Sequence, residues 1–344
     1  MEKYGHLSFI FGKKDTGGDL IMDVKKIGFM LGLTFILTAS LGWAVEEYPN
    51  KSIQLICPFS VGGITDLSAR LIGEKMGEYL GQPVIVVNKP GAGATLGTAF
   101  VAASKPDGYT IVTTFSGVFV LLPLINPNLP YKMTDLIPIG RSLVVNQLLL
   151  VNKDLPVKTL PELISYAKKN PRTLSYGTAG VGSLPHLVME LLNSQTQIDI
   201  QHIPYNSELQ AVTALVGNHV QVSVLTFTIS LSHIRSNAIR PLATLAHRRD
   251  PILPDVSTSV EQGFPELIAS ISNLLLAPAK TPAPILSKLE GALEKTLRDK
   301  EVREKLEKME YKVDFLSGSN TQTFLENEVK RWSPVVKKAN IVIK

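Results

Sequence analysis

Two short stretches of this chain have the residue types and spacing that hold an anion without a cation. The first, Pro58-Phe59-Ser60-Val61-Gly62-Gly63-Ile64-Thr65-Asp66, joins an apolar strand pattern to a helical one. Glycines at such a junction leave backbone N–H groups uncovered, Thr65 or Asp66 is placed to cap the helix, and the helix N-terminus carries partial positive charge. Together these make an anion site. The second, Gly177-Thr178-Ala179-Gly180-Val181-Gly182-Ser183, has the same logic in the other half of the chain and precedes a helical pattern from about 184 to 193. A glycine pair before a helix can also be no more than a tight turn. Two such junctions, each with N–H groups and a hydroxyl, suit a ligand whose carboxylates are gripped from two sides.

A third glycine-rich stretch, Pro90-Gly91-Ala92-Gly93-Ala94-Thr95-Leu96-Gly97, resembles a loosened dinucleotide fingerprint. Its spacing is one residue too long, Pro90 interrupts the approach, and the next strand ends at Phe115-Ser116 with no acid for a ribose. A close-contact turn is the better reading. Groupings that break bonds are missing: there is no nucleophile elbow, no histidine pair at metal spacing, and one cysteine, Cys57, inside an apolar strand pattern. His186 either touches a ligand or packs locally, and Tyr205 either lines a cleft or is structural. No enzyme activity, metal or cofactor is expected. The net charge of +5 is dispersed, without the basic stripe and interleaved aromatics that nucleic acid requires.

The elements that must position these turns alternate between strand and helix, which predicts an α/β protein with largely parallel strands in two sheets. Strands are expected at 53–58, 84–88, 109–114, 148–151, 174–177, 198–203, 220–225, 240–245 and 273–277. Leu67, Leu71, Ile72, Met76 and Leu80 recur at helical spacing, and Gly81-Gln82-Pro83 stops that helix. The Lys-, Glu- and Leu-rich section from Pro282 to Met309 reads as a surface helix pair.

Lys25 and Lys26 precede an apolar run from Ile27 to Leu37, and Gly42 and Ala44 supply the small residues a signal peptidase needs, so residues 1–44 read as a signal peptide cleaved after Ala44. Met22-Asp23-Val24-Lys25-Lys26 makes an ordinary signal start, which suggests that translation begins at Met22.

From Tyr48 onward the sequence resembles the Bug-type extracytoplasmic solute receptors of tripartite tricarboxylate transporters. The resemblance rests on Pro58-Phe59 with Gly62-Gly63 and Asp66-Leu67-Ser68-Ala69-Arg70, on Gly81-Gln82-Pro83-Val84, and on Asn88-Lys89-Pro90-Gly91-Ala92-Gly93. It continues through Pro106-Asp107-Gly108-Tyr109-Thr110, Tyr176-Gly177 with Gly180, Gly182-Ser183 and His186-Leu187, then Pro204-Tyr205 and Leu253-Pro254-Asp255-Val256. It implies a two-lobed periplasmic binding protein of type II, the Venus-flytrap fold, with lobe 1 in 45–146 and 273–344 and lobe 2 in 147–272. It also implies a monomeric periplasmic receptor for a small carboxylate, working with a permease of one large and one small membrane subunit.

The ligand-binding residues expected are Phe59, Val61, Gly62, Gly63, Thr65, Asp66, Ser116, Thr178, Ala179, Gly180, Ser183 and Tyr205. A sensor that feeds a membrane kinase, or a secreted enzyme acting on a carboxylated substrate, are the alternatives. Two departures from the family pattern stand out. Pro204-Tyr205 runs into Asn206-Ser207-Glu208-Leu209-Gln210 where relatives have a basic residue and two glycines, and Leu225-Thr226-Phe227 lacks the acid that many members carry there. The missing acid removes a partner for an ammonium group and points away from amino acids.

Overall fold

The computed structural model describes residues 47–342, so the export segment read in 1–44 lies outside the described residues. The chain begins β1 (Ile53–Cys57), α1 (Ile64–Leu80), β2 (Val84–Asn88), α2 (Thr95–Ala102) and β3 (Thr110–Phe115). β1 pairs in parallel with both β2 and β3. Ile53, Leu55, Ile56 and Cys57 are fully buried because helices cover both faces of this part of the sheet, as in other buried parallel strands. Cys57 is a free thiol that fills the core. Gly81 stops α1 with a φ of +71°, the left-handed cap that glycine adopts at low cost. The turn at Pro90–Gly97 is a close-contact one: a β-carbon on Gly97 would lie 2.7 Å from Pro58 and 2.8 Å from the Lys89 carbonyl.

After β3 come a π-helical turn (Gly117–Leu121) and the short α3 (Leu122–Ile125), then β4 (Leu136–Asn152), which organises the rest. Its first part, Leu136 to Asn146, pairs antiparallel with β9 (Ser270–Pro278), and from Gln147 to Val151 it pairs antiparallel with β7 (Val222–Thr226). β10 (Lys312–Ser317) and β8 (Ile239–Thr244) also pair with β4. With β5 (Ser175–Thr178) and β6 (Gln201–Pro204), the strand order is β2-β1-β3-β9-β4-β7-β5-β6.

The two expected sheets are present but joined through β4, so that the ten strands form one linked array, and the pairing is less parallel than expected from sequence. Among the described strands, parallel ladders join β1 to β2 and β3 and β5 to β6 and β7, and every ladder of β4 and β9 is antiparallel. The cause is the length of β4: 17 residues extend about 55 Å, enough to serve both halves of the sheet.

Helices cover the sheet on two sides. α1, α8 (Ala283–Arg298) and α9 (Lys300–Lys308) pack on one side of the first half, with Met76, Leu289 and Leu306 against Leu55, Leu143 and Leu275. α10 (Gly318–Lys338) brings Leu325 and Trp332 into the cluster that holds Phe119, Leu274 and Leu276. In the second half, β4 sends Leu149 and Val151 to the cluster that includes α4 (Leu160–Lys169) and α5 (Leu184–Thr196). Leu148 and Leu150 go to the opposite face, with α6 (Glu208–Val216) and α7 (Phe227–Arg235). That alternation is the period of two a strand imposes on its side chains.

Candidate functional site

Helix α1 starts where the chain turns at Gly62-Gly63, with Gly62 at φ +80° and Gly63 in extended geometry as the N-cap. Neither Thr65 nor Asp66 caps this helix, contrary to the sequence expectation: extended Gly63 sets the first helical residue at Ile64, and this places Asp66 at the third helical position. From there its Oδ2 accepts the N–H of Gly62 at 2.9 Å, reaching back as the acid of a capping box does.

The Asp66 carboxylate is almost fully buried. Arg70 Nε donates to its Oδ2 at 3.0 Å, and Asn88 Nδ2 donates to its Oδ1 at 2.8 Å and to the Phe59 carbonyl. Burial pushes its pKa up, but hydrogen bonds from Arg70, Gly62 and Asn88 outweigh that and hold it below the usual carboxylate range. The N–H of Gly62 is thus taken up by Asp66. The first-turn N–H groups of α1 are left without intrahelical acceptors by α-helix geometry. Val61, Gly62, Gly63 and Ile64 are exposed around them.

The turn after β5 repeats this backbone. Gly182 has φ +78°, and Ser183, the N-cap of α5, has φ −65° and ψ 156°, against −71° and 162° at Gly63. The N–H of Gly182 donates four residues ahead, to His186 Nδ1 at 3.0 Å, as that of Gly62 does to Asp66. Ser183 N–H donates to the Gly180 carbonyl at 3.3 Å, where Gly63 N–H donates to Ser60 at 3.4 Å.

Since a backbone N–H points at His186 Nδ1, that nitrogen is an acceptor and the neutral ring carries its proton on Nε2. His186 stacks on His202 with ring centroids 3.9 Å apart, and His202 Nε2 lies 2.7 Å from Thr178 Oγ1. Burial lowers the pKa of both rings to about 4, with the charge of His186 adding to the effect on His202. His186 therefore packs locally and shapes the turn.

The expected site residues gather into two groups. Around the first turn, Phe59 meets Phe115 ring to ring at 5.1 Å, and the neighbouring Ser116 Oγ accepts the N–H of Ser272, tying the end of β3 to β9. Thr65 is buried. Around the second, Thr178 accepts the N–H of Tyr205 through its carbonyl, the Tyr205 ring packs on Gly177, and Ser183 Oγ donates to the Gly180 carbonyl. Ala179 and Val181 beside them are exposed, and Gly180 is partly so. Tyr205 also faces a shallow cavity of about 520 Å³ on the outside of α6.

Four residues that the sequence reading did not single out complete these groups: Arg70, Asn88, His202 and Glu208. Arg70 carried a sequence signal in its i+4 spacing from Asp66. Asn88 and His202 reach the turns from neighbouring strands, and Glu208 Oε1 accepts the N–H of Thr226 across the sheet.

Glycine turns at the C-terminal ends of strands in both halves of an α/β sheet, joined by long antiparallel strands, make the fold of the two-lobed type II binding proteins. Residues 68–341 match the Tripartite tricarboxylate transporter family receptor, and the chain belongs to that family. It is 33% identical to protein BugT of Bordetella pertussis over 327 residues, covering 94% of this chain and 100% of that one. Among solved structures it is similar to the periplasmic binding protein BugD, at 31% identity and TM-score 0.67 over 86% of this chain and 100% of that one. A Rhodopseudomonas palustris protein solved with adipate matches at 31% identity and TM-score 0.71, over 86% of this chain and 99% of that one. MatC of the same organism, with bound malate, matches at 31% and 0.67 over 84% and 100%.

Proposed function

We propose that this chain is an exported receptor that closes over a small carboxylate in the periplasm and delivers it to a permease of one large and one small membrane subunit. The observation that carries the reading is the repeated turn: two strand ends present helix N-termini with the same backbone geometry, one in each half of the sheet. Helix N-termini favour anions. Adipate and malate, the ligands of two structural relatives, are dicarboxylates, which suits a pair of anion-seeking turns.

In this reading, Phe59, Val61, Gly62, Gly63, Thr65, Asp66 and Ser116 serve one lobe, and Thr178, Ala179, Gly180, Ser183 and Tyr205 the other. Asp66 and Thr65 act by shaping the first turn, whereas the exposed backbone at 61–64 meets the ligand. The change of β4 partners between Asn146 and Gln147 supports a lobe boundary there, with β4 and β9 as the strands that flex. One turn binds first and the second stabilises closure, so affinity depends on both.

The test is thermal unfolding of ligand-free protein against mono-, di- and tricarboxylates and amino acids, because a ligand bound only by the folded state raises Tm. A dose-dependent rise with a carboxylate is expected. No rise with any carboxylate-bearing compound would overturn the reading.

A further inference from the structure

Glu208 is the first residue of α6, three positions past Tyr205, and its Oε1 accepts the N–H of Thr226 at the end of β7. The strands lie in the order β7-β5-β6, so the segment that leaves β6 and reaches Thr226 through Glu208 crosses the C-terminal end of β5. There Thr178 opens the second glycine turn. In α/β sheets the C-terminal strand ends are where ligands sit.

Ser207 fixes the approach by capping α6, its side chain accepting the N–H of Gln210. Glu208 is half-buried; burial raises its pKa above the usual carboxylate range, opposed by hydrogen bonds from Thr226, and no cation pairs with it among the described residues. A desolvated carboxylate with no counter-charge is costly, and a ligand cation relieves that cost. Read from sequence, Leu225-Thr226-Phe227 lacks an acid and points away from amino acids; the fold brings an acid to Thr226 from α6 instead.

We propose that Glu208 is a specificity determinant that accepts the ammonium group of an amino acid whose carboxylate is held by the glycine turns. This rests on the receptor reading above.

The experiment is calorimetric titration of ligand-free wild-type protein with matched pairs that differ only by the amine: aspartate and succinate, glutamate and glutarate, leucine and isocaproate, phenylalanine and hydrocinnamate. At least one amino acid is expected to bind about tenfold or more tighter than its deaminated partner. Glu208→Gln keeps an acceptor for the Thr226 N–H, and it is expected to bring that pair to within about twofold at unchanged Tm.

If every deaminated acid that binds does so as tightly as its amino acid, the Glu208 assignment falls and the carboxylate reading stands. If no compound of any pair binds, the Glu208 assignment falls, and the receptor reading stands or falls separately on the wider carboxylate panel above. If Glu208→Gln lowers Tm yet leaves the amine preference intact, Glu208 is only a helix cap and the assignment is overturned. Should the variant not fold, the wild-type ranking decides, since it needs no substitution.

Discussion

At Gly62 the turn after β1 is tied by a carboxylate, and at Gly182 the turn after β5 is tied by an imidazole, although both glycines hold nearly the same φ and both N–H groups reach four residues ahead. The first tie puts a full negative charge at a helix N-terminus, balanced by Arg70 and hydrogen-bonded by Asn88. The second is neutral, and it rests on a stack of two histidines. Donors differ too: Thr65 has an N–H at the second helical position, whereas Pro185 there has none. Packing differs most of all. A β-carbon at Gly62 would meet nothing within 4 Å, but one at Gly182 would lie 2.1 Å from Ile125 and 3.8 Å from Ile341. One backbone turn is thus open and charged in one half, closed in and uncharged in the other.

The largest expected effect separates the two by packing. Gly182→Ala combines a left-handed φ with a clash against Ile125, and should cost about 3–4 kcal/mol in urea unfolding. A cost below about 1 kcal/mol would mean that Ile125 does not hold this turn.

Acid separates them next. His186 and His202 titrate near 4 in the folded protein against 6.5 ordinarily, so protonation favours the unfolded chain: their contribution is complete above pH 6.5, falls as pH drops towards 4, and is gone below that. For His186 alone this amounts to about 3 kcal/mol. Asp66 loses its contribution in the same direction but at lower pH: its folded pKa lies below 3.8, so its contribution is present above pH 3.8 and disappears only as pH falls through that lower value. Stability should therefore decline first through the second turn. His186→Asn, which keeps an acceptor for Gly182 but does not titrate, should flatten the decline between pH 6.5 and 4. An unchanged pH profile in that variant would place the titrating group elsewhere.

How much of this asymmetry could be read from the sequence follows from how far each contact reaches along the chain. The turns themselves were legible, because glycines, strand ends and helix starts are local. Leu148–Val151 alone read as a strand because Pro138, Gly140, Arg141 and Ser142 break the apolar run before it; the fold absorbs them as register shifts at Pro138/Gly140 and Arg141/Leu143. β10, with Lys312 and Asp314 in its short span, offered no apolar run at all. The Ile125 contact with Gly182 was illegible because it joins positions far apart in sequence, and the pairing of His186 with His202 depends on β5 and β6 being neighbours. The helix start at Ile64 rather than later decided what Asp66 does, and no propensity distinguishes those two starts.

A smaller effect tests the open turn. Gly62→Ala pays for the left-handed φ but meets no neighbour, so about 1 kcal/mol is expected, well short of the loss at Gly182. Equal losses at the two positions would erase the packing contrast.

The smallest effect is the most direct probe of whether the turns are equivalent for a ligand. Gly63 corresponds to Ser183 and has an ordinary negative φ, and a β-carbon there would meet only the Ser60 carbonyl, at 3.5 Å, so Gly63→Ser should change stability by less than about 0.5 kcal/mol. Its hydroxyl can bond the Ser60 carbonyl as Ser183 bonds that of Gly180. The variant then carries the second turn's chemistry on the first turn's helix. If both turns serve a ligand only through backbone N–H groups, carboxylate affinity by calorimetry should stay within about threefold of wild type. A larger loss at unchanged Tm would show that the bare glycine at 63 is there to let the ligand approach, and that the first turn makes the closer contact of the two.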